Sequence, residues 1–101
     1  MCAAPTEIVE GPRSQTVNVG DQVVLPCGAQ TDPSEPLTVE WRRGGVPIDF
    51  EMESHLRFSE KNHSLIILSA LVTDTEDYTC HASNGLDEVE SPPATLTVRG
   101  R

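Results

Sequence analysis

The stretch Asp74-Thr75-Glu76-Asp77-Tyr78-Thr79-Cys80-His81-Ala82-Ser83-Asn84-Gly85 decides the fold. Tyr78, Cys80 and Ala82 alternate with Asp77, Thr79, His81 and Ser83. Successive side chains of a strand point to opposite faces, so this period of two predicts a half-buried strand. Asn84-Gly85 closes it with two residues that tolerate positive φ, the signal of a hairpin.

The same alternation recurs on both sides. Downstream, Ala94, Leu96 and Val98 share one face. Upstream, Val39 and Trp41 do so against Thr38, Glu40 and Arg42, as do Val23, Leu25 and Cys27, and Val17 and Val19 alternate with Thr16 and Asn18. Leu65-Ile66-Ile67-Leu68 is apolar on both faces; its length and β-branched content favour a strand over a short helix. Turn dipeptides such as Gly11-Pro12, Gly20-Asp21, Asp32-Pro33 and Gly44-Gly45 punctuate the chain at short intervals. Short strands at this spacing predict an all-β protein, and the facing apolar sets predict a two-sheet sandwich.

Length and charge narrow the function. A chain of 101 residues fits one domain with a thin core, and only Trp41, Phe50, Phe58 and Tyr78 are aromatic. Sixteen acidic residues against seven basic ones give a net charge of −9. That balance excludes the basic footprint of a nucleic-acid binder and is repelled by an anionic membrane surface. No apolar run approaches the ~20 residues of a membrane helix, and the N-terminus carries no secretory signal pattern.

Cys27 and Cys80 lie on inward faces 53 positions apart, Trp41 falls between them, and Tyr78 precedes Cys80 by two. This Cys…Trp…Cys pattern with a tyrosine corner resembles an immunoglobulin domain. Leu65-x-Ile67 followed by Asp74-x-Glu76-x-Tyr78-x-Cys80 resembles that family's approach to its second cysteine, with Glu76 where the family usually has Gly. The resemblance spans about Pro5 to Arg99. It implies an immunoglobulin-like Greek-key sandwich of the I-set type, the interval between cysteines being short for a variable-type domain. It also implies an inter-sheet Cys27–Cys80 disulfide, which in the chain-entropy model stabilises by about 4 kcal/mol. Gly11-Pro12 would mark the switch of the first strand between sheets. Arg57 and Asp74 resemble the family's ion pair beneath the tyrosine corner.

Asp32-Pro33, Pro47-Ile48-Asp49-Phe50-Glu51 and Leu86-Asp87-Glu88 are similar to the later immunoglobulin domains of neuronal adhesion receptors. The neuroglian and neurofascin family, contactins and sidekick proteins are the ones resembled. The implied organisation is a leader at 1–4, the domain at 5–99, and at 100–101 the start of a linker, with a fibronectin type III domain following. The implied function is cell–cell adhesion by an extracellular module of a plasma-membrane receptor ectodomain. Its partners would be other cell-surface adhesion proteins, or the same protein, together with adjacent immunoglobulin-like and fibronectin type III domains. No enzyme activity, cofactor, metal, nucleic acid or direct membrane contact is expected. A passive spacer domain and the ligand-recognition domain of a receptor kinase or phosphatase are the alternatives; an intracellular muscle-type domain is disfavoured by the cysteine pair and the sequon.

Asn62-His63-Ser64 is an N-glycosylation sequon in a turn. Val24, Ile66 and Leu68 are expected to form an outward apolar strip, a candidate interface. Cys2 reads as an odd thiol in the leader. His55, His63 and His81 read as solvated surface residues, and the acidic runs 49–53 and 87–90 as solvated charge without EF-hand spacing. Pro26 is out of place in a central strand; it fits if the first strand has already left its neighbour there.

Overall fold

The computed structural model describes residues 6–30, 37–85 and 87–100. Eleven strands are found among them: β1 (Glu7–Glu10), β2 (Gln15–Asn18), β3 (Val23–Leu25), β4 (Gly28–Gln30), β5 (Thr38–Arg43), β6 (Val46–Pro47), β7 (Leu56–Phe58), β8 (Leu65–Ile67), β9 (Glu76–Ser83), β10 (Glu88–Glu90) and β11 (Ala94–Arg99). A 3-10 turn, Val72–Asp74, precedes β9. Asp32-Pro33, Cys2 and Leu86 lie outside the described residues.

One layer has the strand order β3-β8-β7, and the other β2-β11-β9-β5-β6 with β10 also on β9. β4 continues from β3 beyond Pro26 and Cys27, and pairs with β1. All pairs are antiparallel except β2 with β11, which run parallel from Leu96↔Gln15 to Arg99↔Asn18. The chain therefore changes layer between β1 and β2, at Gly11-Pro12. The register of β1 with β4 ends at Glu10↔Gly28. The first strand has turned away before it would reach Pro26, whose missing N–H costs no pairing on that edge.

The inward faces meet as the alternation requires. Val23, Leu25, Cys27, Trp41, Leu56, Leu65, Ile67, Tyr78, Cys80, Leu96 and Val98 form one buried cluster. Val17 packs against it, but Val19 does not: it lies just past β2, 46% exposed. The cause is local. Gly20 has φ +95° and Asp21 N–H donates to Asn18 O at 3.0 Å, so the strand ends in a turn before Val19 can face inward.

β10 and β11 are separated at Ser91-Pro92-Pro93, whose two prolines cannot donate to a ladder. Ser91 repairs the break. Its N–H donates to Cys80 O at 2.9 Å, and its Oγ accepts from Cys80 N–H at 3.0 Å. The backbone of the disulfide's second cysteine is thus satisfied by one buried serine.

Candidate functional site

Cys27 and Cys80 form a disulfide across the layers, with Cα atoms 6.4 Å apart. Trp41 sits directly across from Cys80 in the β5–β9 register, and both are buried. A buried indole N–H needs an acceptor. It finds His63 O at 2.8 Å, so the tryptophan fastens the β7–β8 turn to the core.

Tyr78 is fully buried, and its hydroxyl donates to Asp74 O at 2.7 Å, four residues back. Asp74 is itself buried, 1% exposed, and its carboxylate is fully engaged. Its Oδ2 accepts from Leu71 N–H at 2.8 Å, closing the 3-10 turn. His55 Nε2 lies 2.9 Å from both of its oxygens, and Arg43 Nη1 lies 3.7 Å from Oδ1. Arg43 also pairs with Glu53, which holds its guanidinium pKa above the ordinary value. Burial, and then the Asp74 charge, push the Tyr78 phenol up to about 12.

The expected Arg57–Asp74 ion pair is therefore corrected. Arg57 lies on the outer face of β7, beside buried Leu56. Its Nη1 donates to Ser54 O at 2.6 Å and to Leu56 O at 2.9 Å, folding back along its own strand. Asp74 lies inside the end of the sandwich and is met by His55 and Arg43 instead. The histidines also differ from expectation. His55 is held by Asp74, His81 Nε2 lies 2.9 Å from Glu90 Oε2, and His63 adopts φ +61° in the β7–β8 turn. No residue pattern marks His55 or Arg43 for this role; only the three-dimensional meeting of β5, β7 and the 3-10 turn does.

Glu76, in place of the family's usual Gly, opens β9 on the surface and its Oε1 accepts Asp77 N–H at 2.9 Å. Its carboxylate leans over Gly44, where an added Cβ would come within 3.0 Å. Gly44 has φ +59°, so its backbone favours glycine, whereas the Glu76 carboxylate is the free end of a flexible surface side chain that can give way.

The two outer faces contrast. On the three-stranded layer, Val24 pairs directly with Ile66. Val24 is 46% and Leu68 44% exposed, and Ile66 is half-buried. On the other layer, β5 and β9 turn outward Thr38, Glu40, Arg42, Thr79, His81 and Ser83, with Glu40 bonded to Arg42 at 2.6 Å. Asn62, in the exposed turn between β7 and β8, accepts Ser64 N–H on its Oδ1 at 3.1 Å. Among the described residues, no group of three or more His, Cys, Asp or Glu side chains is placed to hold a metal ion. No helix among them is long and apolar enough to cross a membrane.

Layers stapled by a disulfide against a tryptophan, with a tyrosine corner at the approach to the second cysteine, are those of an immunoglobulin-type sandwich. The immunoglobulin I-set domain model matches residues 6–98, and the chain belongs to that family. It is homologous to neuronal cell-adhesion molecules. Neural cell adhesion molecule L1 of Rattus norvegicus is 39% identical over 93 residues, which is 92% of this chain and 7% of that protein. Contactin-2 of the same species is 38% identical over 99 residues, 94% of this chain and 9% of that protein. Neurofascin of Gallus gallus is 37% identical over 94 residues, 93% of this chain and 6% of that protein. The chain thus spans less than a tenth of each relative. In three dimensions it is similar to the tandem Ig repeats of Dlar, at a TM-score of 0.88 and 23% identity over 100% of this chain and 51% of that one, a likeness of fold.

Proposed function

We propose that this chain is an extracellular module of a cell-surface adhesion receptor, which binds protein through the outer face of β3-β8-β7 and carries no catalytic site. The observation that carries the binding face is the exposed Val24↔Ile66 cross-strand pair with Leu68 beside it. Contiguous exposed apolar side chains on a sheet cost free energy in water and gain it back at an interface. The adhesion setting is supported by homology to L1, contactin-2 and neurofascin, and an oxidising compartment by the disulfide. In this reading residues 5–99 are the domain, 100–101 begin the linker to a neighbouring domain, and Asn62 is a glycan acceptor. The partner is another cell-surface adhesion protein or a second copy of the same one, alongside the adjacent immunoglobulin-like and fibronectin type III domains. Nucleic acid and the membrane surface are not partners.

The test replaces Ile66 and Leu68 together with Thr, which keeps β propensity and removes apolar surface. Weaker association in sedimentation, and weaker cell aggregation with the parent receptor, are expected. Unchanged behaviour in both would sink the binding face. A net charge of −9 makes like-with-like association self-repelling, so a second copy as partner predicts tighter association as salt screens the repulsion. The spacer reading is favoured instead if an inert domain of equal length restores adhesion in place of this one.

A further inference from the structure

β7 is an edge strand: among the described residues it pairs with β8 on one side and with no strand on the other. An unpaired edge is a template for another strand and is usually covered. Part of this edge is covered from within. Arg57 folds back onto the carbonyls of Ser54 and Leu56. Beyond Leu56 that protection stops, and Phe50 and Phe58, half-buried and packed against the core, show part of their rings at the surface. Phe50 and Phe58 have ring centroids 6.1 Å apart, and Phe58 and His63 likewise 6.1 Å apart. Two shallow grooves flank Phe58. One runs along Phe50, Arg57 and Lys61, the other over Val39 and His63, and Phe58 and Glu60 line both.

Asn62 stands between Lys61 and His63, which line one groove each. Its turn is closed by hydrogen bonds: Ser59 N–H donates to Ser64 O at 2.9 Å, His63 N–H to Ser59 O at 2.7 Å, and the Trp41 indole N–H donates to His63 O from the core. Asn62 Oδ1 is engaged by Ser64 N–H, which leaves Nδ2 as the solvent-facing end of the side chain. This nitrogen is the atom an N-linked sugar occupies.

We propose that an N-linked glycan on Asn62 folds back onto Phe58, fills the flanking grooves and covers the remainder of the β7 edge. A saccharide suits this surface. Its C–H face packs on aromatic rings, and its hydroxyl and N-acetyl groups meet the Arg57, Glu60 and Lys61 side chains at the rim. The Val24–Ile66–Leu68 face lies outside the grooves and stays open. The inference rests on the extracellular reading, because only a secreted chain receives this sugar.

The experiment expresses the domain through a eukaryotic secretory pathway as wild type, Asn62→Gln, Phe58→Leu and the double variant. Intact mass should show one glycan, absent from Asn62→Gln. Nuclear Overhauser contacts should join the first N-acetylglucosamine to the Phe58 ring. The glycan should raise Tm by about 3 °C with Phe58 present, and the gain should vanish in the Phe58→Leu background. A glycan with no contact to Phe58 and an equal gain in both backgrounds overturns the folded-back sugar and leaves the extracellular reading standing. Secretion with Asn62 bare overturns both the modification and what is built on it. A glycan clear of Phe58, together with a bare protein that dimerises through Phe58 in sedimentation, would overturn the proposal and assign the grooves to a second copy.

Discussion

Around Cys27–Cys80 the interior is apolar, and its polar demands are few: the Trp41 indole on His63 O, and the Cys80 backbone on Ser91. Around Asp74 the same sandwich is held by ions and directed bonds. One carboxylate caps the 3-10 turn, binds His55 and faces Arg43, while its own carbonyl receives Tyr78. The difference is one of tolerance. The middle asks for volume and one covalent bond, neither of which responds to moderate pH. The Asp74 end asks for several groups in one geometry. Buried polar networks are costly when partly satisfied, so this end is where a single substitution leaves orphaned groups.

The largest expected effect is in the middle. Replacing both Cys27 and Cys80 with Ala removes the cross-link over a 53-residue separation, and should cost about 2–5 kcal/mol. Urea denaturation measures it, and a loss below about 1 kcal/mol would break the contrast. Next is Asp74→Ala, which orphans Leu71 N–H and leaves His55 and Arg43 facing no carboxylate there. Removing one member of a buried pair costs about 3–5 kcal/mol. Because His55 and Arg43 reach water, at 19% and 27% side-chain exposure, about 2 kcal/mol is expected here.

Tyr78→Phe comes third. It leaves Asp74 O without its buried donor and should cost about 1–2 kcal/mol. It also carries a pH signature. The native phenol is raised from 10.0 to about 12. Below pH 10 both native and unfolded Tyr78 are neutral, and its contribution is complete. Between 10 and about 12 the unfolded tyrosine loses its proton first, so wild-type stability falls as pH rises. The Phe variant should lack that share of the alkaline loss. Tyr78 is the sole tyrosine, so phenolate absorbance follows it directly; native titration near pH 10 would remove the burial argument.

What was legible in the sequence follows the same division. The middle could be read because alternation is a periodic signal: Val23, Leu25 and Cys27, then Tyr78, Cys80 and Ala82, are buried as the period of two requires. The tyrosine corner lies within five consecutive residues and was legible too. Ser91 was not, since its role depends on two prolines separating β10 from β11 opposite Cys80. The partners of Asp74 were not either. His55 and Arg57 have the same parity along the chain, and alternation cannot say which of them reaches past the start of β7 into the sandwich end. Arg43 comes from a different strand altogether, brought near by the β5–β9 register. The outward strip could be anticipated from parity alone, but the grooves beside Phe58 depend on how the β7–β8 turn folds under Trp41.

The smallest effect is the one that separates these last two residues. Arg57→Ala removes contacts to carbonyls at the edge of β7, with the side chain itself exposed. Such a surface change should stay within about 0.5 kcal/mol. His55→Ala removes a group held at 2.9 Å by a buried carboxylate, and should cost about 1 kcal/mol, at least twice as much. The two single variants and Asp74→Ala form double-mutant cycles in urea. Coupling between His55 and Asp74, with none between Arg57 and Asp74, is the expected outcome. Equal coupling for both would return Arg57 to the ionic end and would mean that its side chain leaves the β7 edge in solution. That edge would then have no internal cover, and the glycan proposed at Asn62 would have to shield its whole length.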